Sequence, residues 1–432
     1  MLKLKSIEIK GVWGYRTITT NFFDDTNVFI GNNGTGKTTF LNIIEAVLTA
    51  DIEQLYLCSF EEVVINLENG SSSRKIRVNK KLSDLEGGID YKIGTKKFSV
   101  PLLREYDLRN QHRFHPKIRN EIRALKDELA GFLNICWLSV HREISSQEDT
   151  DIPSNRDIRA KNSIDQRLTD LMRRLTVYQL QLESESSKLS NKFREQVFES
   201  MLYKREFDEL NLEELAPVES DEIKRKLNKA YNDLGLSSKE TREKIALHSQ
   251  KIGLALKKIA QWKIDKKNLQ VNDVTPLSLL NRTMSMIEIS TDIDFQKKVV
   301  FKPIETYLRI LKDFVPDKIF KLDTESSGEL AVYSSIDKNS QTALPIKYLS
   351  SGEKQLIILL TESLLQKKSN YIFIADEPEL SLHINWQRKI LTAIRELNEN
   401  AQIVVATHSP EVAGQWRERI INMENILNYE QQ

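Results

Sequence analysis

Residues 28–48, VFIGNNGTGKTTFLNIIEAVL, decide the fold of this 432-residue chain. The apolar run VFI has strand character, the segment 31–39 is rich in glycine, and FLNIIEAVL has the pattern of a helix. The segment satisfies G-x-x-x-x-G-K-[ST] in the strand–loop–helix context that a phosphate-binding loop requires. Glycines let backbone N–H groups surround phosphates, and a helix N-terminus favours negative charge. We therefore expect Lys37 to reach the β- and γ-phosphates of a nucleotide and the Thr38 hydroxyl to bind Mg²⁺.

A second apolar run, YIFIAD at 371–376, ends in two acidic residues, Asp376 and Glu377. In a parallel sheet both carboxylates would lie at the carboxyl end of the strand, beside the phosphate-binding loop. We predict that Asp376 holds Mg²⁺ together with Thr38 and that Glu377 polarises the attacking water. The loop residues expected to bind the nucleotide are Asn32, Asn33, Gly34, Thr35, Gly36, Lys37, Thr38 and Thr39.

Two further segments carry polar groups beside predicted strands or helices. LSSGEKQ at 349–355 precedes a helical pattern, so its Ser-Gly turn offers N–H donors to an anion. His408 follows the strand-like run IVVAT, where it could reach a γ-phosphate. Neither segment alone indicates a nucleotide site. Their positions are informative, because one precedes and the other follows the acidic strand within about 35 residues.

Taken together, these motifs resemble those of the ABC-type ATPase superfamily. The matches are GNNGTGKTT (Walker A), LSSGEKQ (signature), YIFIADEP (Walker B), ELSLH at 379–383 (D-loop) and ATHS at 406–409 (H-loop). The resemblance implies ATP and Mg²⁺ as ligands, with Glu377 and His408 as catalytic residues. It also implies head-to-tail dimers or higher homo-oligomers, in which Ser350 and Gly352 of one head complete the ATP site of the other.

Two departures bear on the subfamily. The Q-loop residue is left open among His141, Arg142 and Gln147. Walker A and signature are far apart in the chain, unlike in transporter subunits, and this separation resembles SMC and recombination-repair ATPases. The insertion is too short for a long arm, so the chain is more similar to the stand-alone ATPases of bacterial anti-phage systems of the overcoming-lysogenisation, Septu and PARIS kinds. A fused Toprim nuclease is not expected.

The organisation follows from composition along the chain. Strand and helix patterns alternate at both ends, which is typical of α/β proteins, whereas glycine nearly vanishes from about 161 to 270. We expect an ABC-type P-loop head with a mixed sheet, interrupted by a helical or short coiled-coil insertion. The predicted domains are 1–150 and 296–432, the two parts of the head, and 151–295, the insertion. Residues 183–220 are acidic and 221–267 basic, which favours a helical hairpin of two arms.

Composition excludes several classes of protein. Lysine plus arginine number 63 and aspartate plus glutamate 62, so no global field indicates a nucleic-acid or membrane-surface protein. The two cysteines, Cys58 and Cys136, suit neither a disulfide framework nor a zinc clip. No apolar run is long enough to span a bilayer. We expect a cytoplasmic protein that has no membrane contact.

Three functions stay open at this point. The first is an ATPase of anti-phage defence that controls a separate effector, such as a nuclease. The second is a RecF-like or SMC-like repair ATPase that acts directly on DNA, for which the basic stretch 221–267 is the best support. The third is an ATP-gated assembly scaffold with little turnover.

Overall fold

The computed structural model describes residues 1–70, 72–81, 87–101, 116–139, 156–203, 219–233, 235–266, 270–322, 329–334, 343–367 and 369–429. The chain divides into two compact units. The head unit is Met1–Thr176 with Thr306–Gln432, and the helical unit is Val177–Glu305. These boundaries fall inside two long helices, whereas the predicted domain boundaries lie at 150/151 and 295/296. The predicted division into functional domains stays a prediction.

The strands of the described part belong to three sheets. They are β1 (Lys3–Val12), β2 (Arg16–Asn21), β3 (Thr26–Ile30), β4 (Glu62–Asn69), β5 (Ser72–Lys81), β6 (Gly88–Ile93), β7 (Lys96–Pro101), β8 (Ile135–Ser139), β9 (Lys318–Leu322), β10 (Leu330–Ser334), β11 (Tyr371–Asp376), β12 (Ala401–Ala406), β13 (Ile420–Asn422) and β14 (Leu427–Tyr429).

The helices of the described part alternate with these strands at both ends of the chain and fill its middle. They are α1 (Lys37–Thr49), α2 (Ile52–Leu57), α3 (Pro116–Ala130), α4 (Arg156–Ser200), α5 (Ser220–Asp233), α6 (Lys239–Asp265), α7 (Val271–Val274), α8 (Leu280–Phe314), α9 (Ser351–Leu365), α10 (Ile384–Gln387), α11 (Ile390–Leu397), α12 (Pro410–Ala413) and α13 (Met423–Ile426). A 3₁₀ turn, Thr275–Leu279, leads into α8. None of these helices is long and apolar enough to cross a membrane.

A five-stranded parallel sheet, in the order β13-β3-β12-β11-β8, positions the candidate site. Every residue of β11 and β12 is buried, as expected for strands covered on both faces. Asp376 on β11 pairs with Ala406 on β12, which pairs with Phe29 on β3. The carboxyl ends of the three strands therefore meet at one edge of the sheet, where α/β proteins bind ligands.

A seven-stranded antiparallel sheet, in the order β14-β2-β1-β4-β5-β6-β7, forms the second layer of the head. The buried Gln402 of β12 joins the two sheets, because its side chain accepts a hydrogen bond from Leu4 N at 2.7 Å and donates to Leu4 O at 2.8 Å. Parallel and antiparallel strands thus both occur in the head. The predicted α/β head with a helical insertion is confirmed.

The helical unit contains the acidic and basic stretches of the predicted two-armed hairpin. The basic stretch forms two helices, α5 and α6, which pack on each other through Ile223, Leu227, Ile245 and Ile252. Phe193 and Val197 of the acidic end of α4 form a second apolar cluster with Ala230 of α5 and Ile293 of α8. The acidic end of α4 thus packs on the basic stretch through apolar side chains. The hairpin stays a prediction, because residues 204–218, which would connect its two arms, lie outside the described residues.

Candidate active site

The phosphate-binding loop connects β3 to α1, and its glycines shape it. Gly34 and Gly36 have φ angles of 82° and 89°, a left-handed conformation that glycine adopts without steric cost. Gly36 is also the N-cap of α1, and its carbonyl oxygen accepts the backbone N–H of Phe40 at 2.8 Å. Because glycine has no side chain, the N-cap residue offers no acceptor that would compete with an anion for the first-turn N–H groups.

The side chain of Lys37 lies inside this loop. Its Nζ donates to the carbonyl oxygens of Gly31 at 2.8 Å and Asn32 at 3.1 Å, and the residue is 5% exposed. Burial lowers the pKa of Lys37, while the charges of Glu377 and Asp376 act in the opposite direction. The structure therefore brings the predicted phosphate-binding lysine and the two predicted acidic residues into one electrostatic environment.

The remaining loop side chains line the approach to this environment. Thr38 is exposed, Thr39 is partly buried, and Asn33 is exposed. Asn32 Nδ2 donates to Glu424 Oε1 on α13 at 2.6 Å, so the last helix of the described chain fixes the start of the loop. Sequence reasoning did not anticipate Glu424, since nothing local links residues 32 and 424.

An aromatic side chain also contacts the loop. A Cβ added to Gly36 would lie 2.5 Å from the ring of Trp13, which itself has a left-handed φ of 54°. The guanidinium of Arg16 lies 5.3 Å from the centre of the Trp13 ring, a cation–π distance. The segment GVWGY at 11–15 carries the only signal that could have revealed this contact, an aromatic residue between two glycines in the first hairpin.

The acidic pair lies at the carboxyl end of β11. Asp376 is 3% exposed, and Glu377 has a left-handed φ of 48°, which is rare for a residue with a side chain. The backbone N–H of Glu377 donates to the carbonyl oxygen of Ala406 at 2.8 Å, which holds this conformation. His408 Nε2 lies 3.7 Å from Glu377 Oε1. The structure thus places the two predicted catalytic side chains next to each other.

Glu379 organises the turn that carries His408. Its Oε1 accepts hydrogen bonds from the Thr407 hydroxyl, from His408 N at 3.1 Å and from Ser409 N at 3.3 Å. Glu379 is 7% exposed, and burial raises the pKa of its carboxyl group, against the effect of these hydrogen bonds. Sequence reasoning placed Glu379 in the D-loop by resemblance but gave it no role.

The signature segment contacts the D-loop within the same chain. Ser350 is the N-cap of α9 and forms a capping box with Glu353, whose carboxylate accepts a hydrogen bond from Ser350 N at 2.8 Å. A Cβ on Gly352 would lie 2.4 Å from the carbonyl oxygen of Ser381, so only glycine fits. The hydrogen bonds and close contacts described for Ser350 and Gly352 involve no residue of the phosphate-binding loop.

A lysine on β9 holds the capping box in place. Lys318 Nζ lies 2.5 Å from Glu353 Oε1. Burial by itself raises the pKa of the Glu353 carboxyl group, but hydrogen bonds from Lys318 and Ser350 outweigh it and lower the pKa. The N-terminal turn of α9 is therefore fixed from two sides.

The donor chemistry of the site fits Mg²⁺. The hydroxyl of Thr38 and the carboxylate of Asp376 are hard oxygen ligands, which Mg²⁺ prefers. In the described part of the chain no group of three or more His, Cys, Asp or Glu side chains could hold a metal ion. Few protein ligands suit Mg²⁺, which usually keeps waters and binds substrate phosphates. The three candidates for the Q-loop contact, His141, Arg142 and Gln147, lie outside the described residues.

The sequence is similar to two retron-associated proteins. It is 34% identical to the Retron Ec83 probable ATPase of Escherichia coli over 88 residues, which are 18% of this chain and 16% of that relative. It is 26% identical to the Retron Vc95 probable ATPase of Vibrio cholerae serotype O1 biovar El Tor over 148 residues, 31% of this chain and 26% of the relative. Each match therefore covers less than a third of either protein.

A much longer match is to a protein family. The family described as AAA ATPase domain matches residues 2–413. Among solved structures, the Smc head domain with an extended coiled coil from Pyrococcus furiosus, bound to the C-terminal domain of ScpA, is 15% identical. That alignment covers 98% of this chain and 93% of the Smc chain, with a TM-score of 0.42. The family match spans both parts of the head and the helical unit between them.

Proposed function

The chain belongs to the family of AAA ATPase domains, and from this premise we propose that it hydrolyses ATP in a head-to-tail dimer and so controls a separate effector in anti-phage defence. The observation that carries the proposal is the meeting of Lys37, Glu377 and His408 at one edge of the parallel sheet. Three strands that are distant in sequence bring them there.

The phosphate-binding loop would hold the nucleotide. Its left-handed glycines and the N-terminus of α1 present N–H groups to the phosphates. Lys37, which in this structure donates to two loop carbonyl oxygens, would exchange these acceptors for phosphate oxygens. Thr38 and Asp376 would hold Mg²⁺, which neutralises charge on the phosphates when bound.

Glu377 would orient the attacking water. Its left-handed backbone is over-determined by the strand end before it and the hydrogen bond to Ala406, a kind of strain that clusters at functional sites. His408 lies close enough to Glu377 to restrict its carboxylate. Glu379 in turn holds the backbone of His408.

Completion of the site by a second copy would involve Ser350 and Gly352. In the chain itself the signature turn contacts Ser381 of the D-loop, and α9 directs its capped N-terminus at that loop. A helix N-terminus favours an anion, so the same turn of another copy could face the γ-phosphate. We propose this arrangement as the ATP-dependent step.

Control of an effector in defence is supported by the similarity to the two probable ATPases of retrons. A cytoplasmic location, a nuclease-type effector and a homo-oligomer belong to the same proposal. Direct action on DNA and an ATP-gated scaffold are the two alternatives, and the experiment below separates all three.

The test compares ATP hydrolysis and ATP-dependent dimerisation in the wild type, Glu377→Gln and Glu399→Gln. Glu399 is exposed and precedes β12, whereas His408 follows the opposite end of that strand, so Glu399→Gln is a matched control that should behave as wild type. Glu377→Gln should bind ATP and accumulate as a dimer in sedimentation, with turnover lowered roughly 10²- to 10⁴-fold.

Each other result has a defined meaning. Wild-type turnover in Glu377→Gln would refute the assigned role of Glu377. Tight ATP binding and dimerisation without measurable hydrolysis in the wild type would favour the scaffold. Hydrolysis that duplex DNA stimulates, with a steep dependence on salt, would favour direct action on DNA.

A further inference from the structure

Two adjoining cavities lie on the helical unit, and none of the residues assigned to ATP lines them. The larger has a volume of ≈ 520 Å³ and the smaller ≈ 330 Å³. Both are lined by Lys244, His248 and Leu279, so they form one continuous depression, which we call the helical-unit groove. One wall is α6, and the other is the 3₁₀ turn with the start of α8.

The spacing of the lining residues gives the groove its length. Thr241, Lys244, His248 and Lys251 recur at three- or four-residue intervals along α6 and so share one helix face. From Thr241 to Lys251 this wall rises roughly 15 Å. A segment of two to three helical turns would therefore lie along it.

The groove combines an apolar floor with positive charge. Its floor contains Ile245, Leu227 and Met286, and its cationic side chains are Lys244 and Lys251 on α6 and Arg282 on α8. No aspartate or glutamate of the described chain lines either cavity. An apolar ligand with negative charges along one side would match this lining.

Some cations elsewhere in the helical unit form ion pairs. Lys229 of α5 forms an ion pair with Asp294, and Lys258 of α6 forms one with Asp273. No described acidic residue pairs with Lys244 or Lys251, although Lys251 and Lys258 lie on the same helix. The charges of Lys244 and Lys251 are therefore available to an incoming carboxylate.

His248 adds shape to the groove and no charge at neutral pH. Its Nε2 lies 3.0 Å from Thr283 Oγ1 on α8, which ties the two walls together. Burial lowers the pKa of His248, so the ring is neutral at pH 7. The fixed positive charges are those of the lysines and the arginine.

Several apolar side chains at the rim of the groove are largely exposed, and a bound partner would cover them. Leu279 is 46% and Leu247 56% exposed, and both line the smaller cavity. Met201, at the end of α4, lines the larger cavity and is 62% exposed. Contiguous exposed apolar surface of this kind marks interaction sites.

We propose that the helical-unit groove binds an amphipathic acidic helix of a partner protein. Apolar side chains three and four residues apart would enter the two cavities, as in helix-in-groove recognition. Carboxylates on the flank of that helix would face Lys244 and Lys251, and charge complementarity would set the choice of partner. This inference rests on the proposed function, because it names the surface through which an effector is held.

The test uses the whole 432-residue chain, without nucleotide, and a synthetic peptide as the probe. The probe is a labelled helical peptide of four turns, with leucine along one face and glutamate along the other, and its binding is followed by fluorescence anisotropy. An isomer with the same composition but scattered leucines is the control peptide. Wild type should bind the amphipathic peptide and lose affinity as salt increases.

Matched substitutions locate the binding. Lys244→Glu and Leu279→Gln change exposed side chains of the groove, and each should weaken binding about tenfold or more. Lys239→Glu, on the same helix outside the groove, and Leu236→Gln, also exposed, should bind as wild type. ATP hydrolysis should be unchanged in all four variants, which separates this inference from the proposed ATPase.

Several outcomes would overturn the inference. Equal binding of the two peptides would show that the groove does not recognise an apolar face of a helix. Equal loss in the groove and control variants would place binding elsewhere. Concentration-dependent self-association that Leu279→Gln abolishes would assign the groove to a second copy of the chain. Absence of ATP hydrolysis with peptide binding intact would instead count against the proposed function alone.

Discussion

Replacing Glu379 by alanine should loosen the turn formed by residues 407–409, which carries His408. Glu379 is buried and its Oε1 is the common acceptor for three donors of this turn. Alanine removes that acceptor without adding volume. The expected consequence is a local increase in the opening of the turn, with the parallel sheet intact.

The size of the effect depends on which hydrogen-bond acceptors remain for each of the three donors. Ser409 N also donates to Thr407 Oγ1 at 2.9 Å, and the Thr407 hydroxyl can rotate to another acceptor. His408 N keeps no second acceptor among the hydrogen bonds described. Losing a charged acceptor and leaving one partly buried N–H without a protein acceptor costs about 2–4 kcal/mol. Release of a buried carboxylate, whose desolvation already raises its pKa, keeps the cost near the lower end.

Amide hydrogen exchange, read by mass spectrometry on a peptide spanning 407–409, measures this opening directly. At about 1.4 kcal/mol per factor of ten, exchange should be roughly 30-fold faster in Glu379→Ala, and at most about 900-fold. Glu379→Gln keeps a carbonyl oxygen as acceptor and should exchange nearly as wild type. Unchanged exchange in Glu379→Ala, or equal acceleration across β12, would refute the reasoning.

Three further predictions concern the head. Lys37→Ala should weaken ATP binding by about 1.5–3 kcal/mol, measured by calorimetry, because charge-assisted contacts to phosphate are lost; an unchanged affinity would contradict the loop assignment. Gly352→Ala should destabilise the head in denaturant unfolding, since a Cβ at 2.4 Å from Ser381 O costs about 1–3 kcal/mol by overpacking and outweighs a helix-propensity gain of at most about 1 kcal/mol. Gly414→Ala, with its nearest atom at 3.4 Å, is the control and should be close to neutral. The raised pKa of Glu379 predicts that the free energy of unfolding of the wild type, relative to Glu379→Gln, depends on pH. The stabilising contribution is fully present below the ordinary pKa of 4.5 and is lost as pH rises through the raised pKa. Denaturant unfolding at a series of acidic pH values checks this sign.

The parallel sheet and its site are the part that could be predicted from sequence. The apolar runs that lead to Gly31, to Asp376 and to His408 have the pattern of buried strands, and the structure has β3, β11 and β12 there. Runs of this kind carry their burial in their own composition. The turn residues that follow each run then predict which edge of the sheet would bind a ligand, even where the order of the strands is unknown.

The remaining contacts could not be predicted because they join residues that lie in different elements or far apart in the chain. The sequence pattern of residues 384–398 predicts one helix, but the structure has two, α10 and α11. Between them, Arg388 Nε lies 2.5 Å from Glu411, and the Gln387 side chain donates to Leu382 O at 3.0 Å. The packing of Trp13 on Gly36 is of the same kind. Local propensity contains no information about such partners.

The pairing of β3 has a consequence for synthesis of the chain. Both of its parallel neighbours, β12 and β13, come from residues 401–422, whereas β3 ends at Ile30. At about 5–20 residues per second, a ribosome needs roughly 20 to 75 s to reach β12 after completing β3. During that interval β3 has no strand beside it, and the apolar side chains of α1 that pack on β11 and β12 lack those partners. The nascent head is then open to chaperones and to aggregation, and ATP can first bind only when nearly all of these 432 residues have been made.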